Sequence, residues 1–189
     1  MSTADRDKWD ARWAEAAGPP RPPDPFVQGL DALLPRTGRA LDLAAGRGRY
    51  AVWLAERGLD VTAVDVSPIG LERAAAHAAD HGVSIATVVR DLEEEGAPEG
   101  PWDVITCVGF LHRPLYRALP GLLAPGGWLI IVQGTRRNLE RHQHPSARYL
   151  LEQVELPSLL DDVEVVRHVE GWTTAGRHHA RIAARRVGP

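Results

Sequence analysis

The chain has 189 residues, 44% of them apolar and 25% charged, with a net charge of −3. That length suits one domain with a sizeable core, and the acidic balance speaks against nucleic acid as a partner. The single cysteine, Cys107, precludes an intramolecular disulfide, and the longest strongly apolar stretch, Trp128 to Val132, is too short to span a bilayer. With a charged N-terminus that lacks an apolar signal core, the chain reads as cytoplasmic with no membrane partner.

Residues 5–17 read as a helix carrying Trp9 and Trp13 one turn apart on one face. The run Gly18-Pro19-Pro20-Arg21-Pro22-Pro23-Asp24-Pro25 is a stiff linker. Residues 1–25 are therefore expected to form an N-terminal helix and proline-rich linker, a candidate lid, ahead of a domain over 26–189. A second helix is expected over 26–34, stopped by Pro35 and Gly38. Strands over 39–43, 60–66, 84–90, 102–108 and 128–134 then alternate with helices over 50–57, 71–81 and 111–123. Two closing strand-like runs, 162–172 and 178–187, are too near each other for a crossover helix and should pair as an antiparallel hairpin. The expected fold is α/β, a Rossmann-like, doubly wound, mostly parallel seven-stranded sheet closed by a C-terminal hairpin.

The first strand ends in Leu41-Asp42-Leu43 and runs into Ala44-Ala45-Gly46-Arg47-Gly48-Arg49-Tyr50-Ala51; the second ends in Val64-Asp65-Val66. A small-residue loop lets bare backbone approach a ligand, and an acid at the end of the second strand takes a ribose diol. Gly46 to Ala51 formally satisfies the G-x-G-x-x-A dinucleotide pattern, which keeps an NAD-linked oxidoreductase as an alternative. Three features favour S-adenosylmethionine. Asp42, four residues before Gly46, would repel a pyrophosphate but suits a cationic ammonium. Asp91 ends the third strand, where it can accept a hydrogen bond from an adenine amino group. The chain end closes the sheet and leaves no second domain for a reductase substrate. On this reading Leu92 and Val66 flank the adenine, and Val108 with Gly109 backs the cofactor. Trp13 either covers the cofactor or staples the first helix to the core.

In combination and order these residues resemble the class I S-adenosylmethionine-dependent methyltransferases. Leu41 to Gly48 is similar to their first motif, with Ala44 where many members have glycine. Val64-Asp65-Val66-Ser67-Pro68 is similar to the second, and Leu123-Ala124-Pro125-Gly126-Gly127-Trp128-Leu129 to the turn into the fifth strand. Leu111-His112-Arg113-Pro114-Leu115, Tyr149-Leu150-Leu151-Glu152 and Glu155-Leu156 resemble the bacterial tellurite-resistance and thiopurine methyltransferase branch. The resemblance implies methyl transfer to a small-molecule acceptor, including soft sulfur, selenium or tellurium nucleophiles.

The neutral thioether leaving group needs no acid, so placing the acceptor is the main task, and a hydroxyl or amine also needs a base. Candidates are His112, at the carboxyl edge after the fourth strand, and Arg141 and His142, after the fifth. Each also has a plainer reading, as a helix cap or an exposed charged loop. No metal site is expected: His142-Gln143-His144 and His178-His179 lack cysteines and helical spacing, and the second pair is expected on a strand that starts far from the site edge. A non-catalytic cofactor-binding module is the remaining alternative. No motif encodes the oligomeric state.

Overall fold

A computed structural model describes residues 3–188, with side chains from residue 5. Residues 1, 2 and 189, including the start of the expected N-terminal segment, lie outside it. Seven strands form one sheet: β1 (Arg39–Leu43), β2 (Asp60–Asp65), β3 (Ala86–Val89), β4 (Trp102–Val108), β5 (Leu123–Gly134), β6 (Val163–Trp172) and β7 (His178–Arg186). Their order is β3-β2-β1-β4-β5-β7-β6. The first five run parallel, and β7 lies antiparallel to both β5 and β6. The order reverses between β1 and β4, which opens a crevice at their carboxyl ends, where sheets of this kind bind ligands.

Helices α1 (Thr3–Glu15), α2 (Pro25–Gln28), α3 (Arg49–Ala55), α4 (Pro68–Asp80) and α5 (Arg113–Ala118) flank the sheet. One face buries Phe26, Leu30, Trp53 and Leu54 against Ala40, Val61, Val104 and Ile130. The other buries Tyr116, Leu119 and Leu156 against Leu41, Ile105, Leu129 and Ile131. The central strands β1, β4 and β5, covered on both sides, are mostly apolar. Among the described residues no helix is long and apolar enough to cross a membrane.

Local chemistry moved several expected boundaries. The second helix ends at Gln28, because Gly29 caps it. The chain continues in single turns such as Leu33 N–H to Leu30 O. The helix expected over 111–123 is α5 followed by a 3-10 turn, Leu119–Leu122, where Pro120 lacks the N–H that a continuing helix needs. β5 starts at Leu123, five residues before the expected Trp128. Pro125-Gly126-Gly127 bulges from the ladder between the pairs Trp102–Leu123 and Val104–Trp128.

Candidate active site

The loop from β1 to α3 is built from small residues because there is no room for larger ones. A Cβ on Gly48 would stand 2.8 Å from the Cβ of Ala74 on α4, and the residue has φ +77°. Gly46 is also left-handed, and its N–H donates to Asp65 Oδ2 at 2.8 Å. The other oxygen of Asp65 accepts from Ser67 N–H at 2.9 Å. One carboxylate therefore ties the glycine loop to the start of α4, whose cap is Ser67, accepting from Gly70 N–H. Burial raises the pKa of Asp65 above the usual carboxylate range, against the lowering effect of those two backbone donors. Val66 is buried beside it.

Asp42 projects into the interface between sheet and α3. Its Oδ1 accepts from the Thr106 hydroxyl at 2.7 Å and its Oδ2 from Ala51 N–H at 3.0 Å. Thr106 is its direct partner in the β1–β4 register. Burial pushes the Asp42 pKa up to about 7, although both donors favour the charged form. Each oxygen of Asp42 thus accepts one hydrogen bond from the protein, one from β4 and one from α3. Thr106 was missed at the sequence level. Its only signal is a hydroxyl inside the apolar run Val104-Ile105-Thr106-Cys107.

Asp91, at the end of the third strand, accepts from Glu93 N–H at 2.9 Å and so turns the chain after β3. Leu92 is buried behind it. Val108 closes β4, and beside Gly109 there is open space. Ala44 occupies the left-handed region at φ 54°, and Ala45 donates to Val64 O, locking the loop to β2.

Helix α1 lies across this loop. Trp13 covers Gly46 and Gly70, with a Cβ on either glycine standing 2.8 Å from the indole. Arg73 donates to Ala14 O and Ala16 O, Arg47 to Gly18 O, and the Ser67 hydroxyl to Asp10. The far end of the linker is pinned as well. Asp24 caps α2, receives Arg181 Nε at 3.4 Å, and donates its N–H to the Tyr50 hydroxyl at 3.3 Å.

His112 stands immediately before α5 at the carboxyl edge, with its Nδ1 buried and unpartnered. Its neighbour Arg113 is bound to Glu155. Arg141 and His142 lie further along this edge, at the β6–β7 turn. Arg141 stacks on Trp172 at 3.8 Å, and His142 Nε2 lies 2.7 Å from Gly176 O. Both grip the β6–β7 hairpin. The position expected for His178 and His179 is corrected: because β7 runs antiparallel to β5, His179 pairs with Gly134 at the carboxyl edge. Burial and the Arg181 charge push the His179 pKa down to about 4.

Among the described residues, seven side-chain nitrogen or oxygen atoms are buried without a hydrogen-bond partner. All except Nε2 of His168 belong to residues at or over this one edge: Trp13, Arg49, Arg90, His112, Gln133 and His179. Buried polar atoms are ordinarily satisfied, and six of these seven share the edge that carries the acids and the glycine loop. Two surface hollows, one bordered by Leu33, Asp103, Gly126 and Trp128 and the other by Pro125, Asp162 and Arg186, lie at the opposite edge, away from the acids and the glycine loop.

The comparisons agree with this geometry. A family described as "Methyltransferase domain" matches residues 40–127, the stretch from β1 into β5. The chain is 33% identical over 131 residues to a ubiquinone biosynthesis O-methyltransferase of Xanthomonas axonopodis pv. citri, covering 64% of this chain and 55% of that protein. It therefore spans about half the length of the curated relatives it matches. A magnesium protoporphyrin IX methyltransferase of Synechocystis PCC 6803, solved with bound S-adenosylmethionine, superposes with a TM-score of 0.71 at 18% identity, over 97% of this chain and 96% of that one. TehB from Haemophilus influenzae superposes with a TM-score of 0.69 at 20% identity, over 96% and 66%. Residues 40–127 thus match a methyltransferase domain, and the sheet built around them has the fold of solved S-adenosylmethionine-dependent methyltransferases.

Proposed function

We propose that the chain transfers a methyl group from S-adenosylmethionine to an oxygen atom of a small-molecule acceptor. The observation that carries this is the concentration of unpartnered buried polar atoms around the glycine loop and the strand-end acids. The O-methyltransferase relatives support oxygen as the receiving atom. The cofactor, when bound, supplies an activated methyl group on a positively charged sulfur.

In this reading Gly46, Gly48, Ala44 and Ala45 give it a close backbone surface. Asp65 receives the ribose, Asp91 and Leu92 with Val66 receive the adenine, and Val108 backs it. Asp42 contributes negative charge from behind the loop. Trp13 covers the site and keeps water out. His112 accepts the proton that an acceptor hydroxyl must lose. Arg141 and His142 act as positioning residues, holding the β6–β7 turn over the acceptor side.

The test is calorimetric titration with S-adenosylhomocysteine and with NAD, then a turnover screen of phenols, amines, thiols, selenite and tellurite. Micromolar or tighter binding of S-adenosylhomocysteine, none of NAD, and methylation of a hydroxyl compound are expected. Binding of NAD alone would restore the oxidoreductase alternative. Turnover of only thiols or the selenium and tellurium anions would establish the soft-nucleophile reading. Binding without any turnover would leave a cofactor-binding module.

A further inference from the structure

Gln133 is the penultimate residue of β5, one step beyond the last β4–β5 pair, Val108–Val132. Past that pair β4 no longer flanks β5, and the segment through Tyr149, Leu150 and Leu151 takes its place, bridging Thr135 in parallel. The side chain of Gln133 is buried. Its Nε2 donates to Tyr149 O at 2.7 Å, whereas Oε1 is buried and has no partner. An amide can be flipped, but this bond fixes the orientation: only nitrogen can face the Tyr149 carbonyl, so the oxygen is left over.

The next carbonyl along, Leu150 O, accepts from Arg113 at 3.4 Å. Gln133 and Arg113 thus hold consecutive carbonyls of one two-residue stretch. Beside Arg113 is His112, whose Nδ1 is the second unpartnered atom. Gln133 and the residue next to His112 thus hold the same piece of chain, at the carboxyl end of the sheet.

We infer that Gln133 recognises the methyl acceptor: its side-chain oxygen accepts a hydrogen bond from an O–H or N–H of the acceptor other than the one His112 deprotonates, and so selects acceptors that carry such a proton against thiolates and selenolates that carry none. The reasoning is one of sign. A buried amide oxygen can only accept, so it is satisfied by a ligand bearing O–H or N–H. A thiolate or selenolate has no proton to give and sets negative charge against that oxygen. This inference rests on the methyl-transfer reading and narrows its acceptor class.

The experiment uses the full chain saturated with S-adenosylhomocysteine at pH 8, titrated calorimetrically with catechol, aniline and 4-nitrothiophenolate. Catechol or aniline should bind, the one that does identifying oxygen or nitrogen, and the thiolate should bind at least about tenfold more weakly. Gln133→Leu should weaken the protic ligand by about tenfold or more, the effect of removing one buried partner. Affinity for S-adenosylhomocysteine should stay within about twofold. Gln133→Met, closer in length, gives the same comparison if the leucine variant does not fold. Unchanged binding of the protic probe in the folded variant, no binding of either protic probe, or preference for the thiolate would overturn the inference. Failure of S-adenosylhomocysteine to bind the parent chain would instead overturn the methyl-transfer reading beneath it.

Discussion

The indole of Trp13 lies against the bare backbone of Gly46, so close that a Cβ on that glycine would stand 2.8 Å from Cζ2. An aromatic cover and a missing side chain are therefore one device: the glycine makes room for the ring, and the ring closes the loop. Trp13→Ala is expected to raise the dissociation constant of S-adenosylhomocysteine by about tenfold, the effect of losing a large aromatic contact. Gly46→Ala should do much the same by displacing the ring. The double variant should be scarcely weaker than either single one, because the two residues share one contact. Additive losses in calorimetry would show that Trp13 and Gly46 act separately.

Asp42 should make the domain less stable as pH rises. Its folded pKa is raised to about 7 by burial, so the folded state holds a proton that the unfolded chain releases at ordinary carboxylate pH. That contribution is fully present below the unfolded value and is lost as pH rises through 7. Asp65, also raised, adds in the same sense. The unfolding free energy should fall from pH 6 to pH 8, by at most about 1.4 kcal/mol per pH unit for one proton, and the melting temperature should fall with it. A cationic donor favours the ionised form, so its binding should release protons near pH 7, visible as a buffer-dependent calorimetric enthalpy. Thr106→Val should cost about 1–3 kcal/mol at pH 8 and less at pH 6, where the carboxyl is more often neutral.

Three non-glycine residues, Ala44, Val154 and Asp162, are held in a backbone conformation that side chains avoid. Ala44 has φ 54°, and Val154, exposed and β-branched, has φ 59°. The left-handed region costs a non-glycine residue about 1–2 kcal/mol, partly offset by glycine's greater freedom when unfolded. Val154→Gly should stabilise the domain by about 1 kcal/mol in denaturant melts. Ala44→Gly should be neutral or up to about 1 kcal/mol stabilising, with unchanged affinity for S-adenosylhomocysteine. Destabilisation by either would mean that the methyl or isopropyl contacts outweigh the strain.

Asp24 and Arg181 form a largely buried ion pair between the linker and β7, with side chains 14% and 9% exposed. Removing one partner leaves the other charge uncompensated. Asp24→Ala should therefore cost about 2 kcal/mol or more, including the lost cap of α2. Adding Arg181→Met should recover part of that loss. A double variant less stable than the single one would contradict this account of the pair.

Much of the local geometry of the candidate site was legible along the chain. Asp42, Gly46, Gly48, Asp65 and Asp91 announce themselves because a strand, a tight loop and a helix in immediate succession demand those residue types in that order. Alternation of short apolar runs with helices is enough for a parallel sheet, and the five residues between Trp172 and His178 leave room for a hairpin and for nothing longer. Elements ended earlier than expected where one residue decided the matter, as at Gly29 and Pro120.

What the sequence determined by itself was local: which residues turn, cap, alternate and leave backbone bare, since each of those depends on neighbours a few positions away. Tertiary structure decided which polar groups are already spoken for. Asp42 meets Thr106 across 64 positions and Arg181 meets Asp24 across 157, while Arg141 and His142 are drawn to the hairpin. The amide oxygen of Gln133 is left over only because Tyr149 takes its nitrogen. Hydrogen-bond partners chosen by strand register and by packing are not spaced along a chain, so only the folded molecule separates a side chain held by the protein from one left for a ligand.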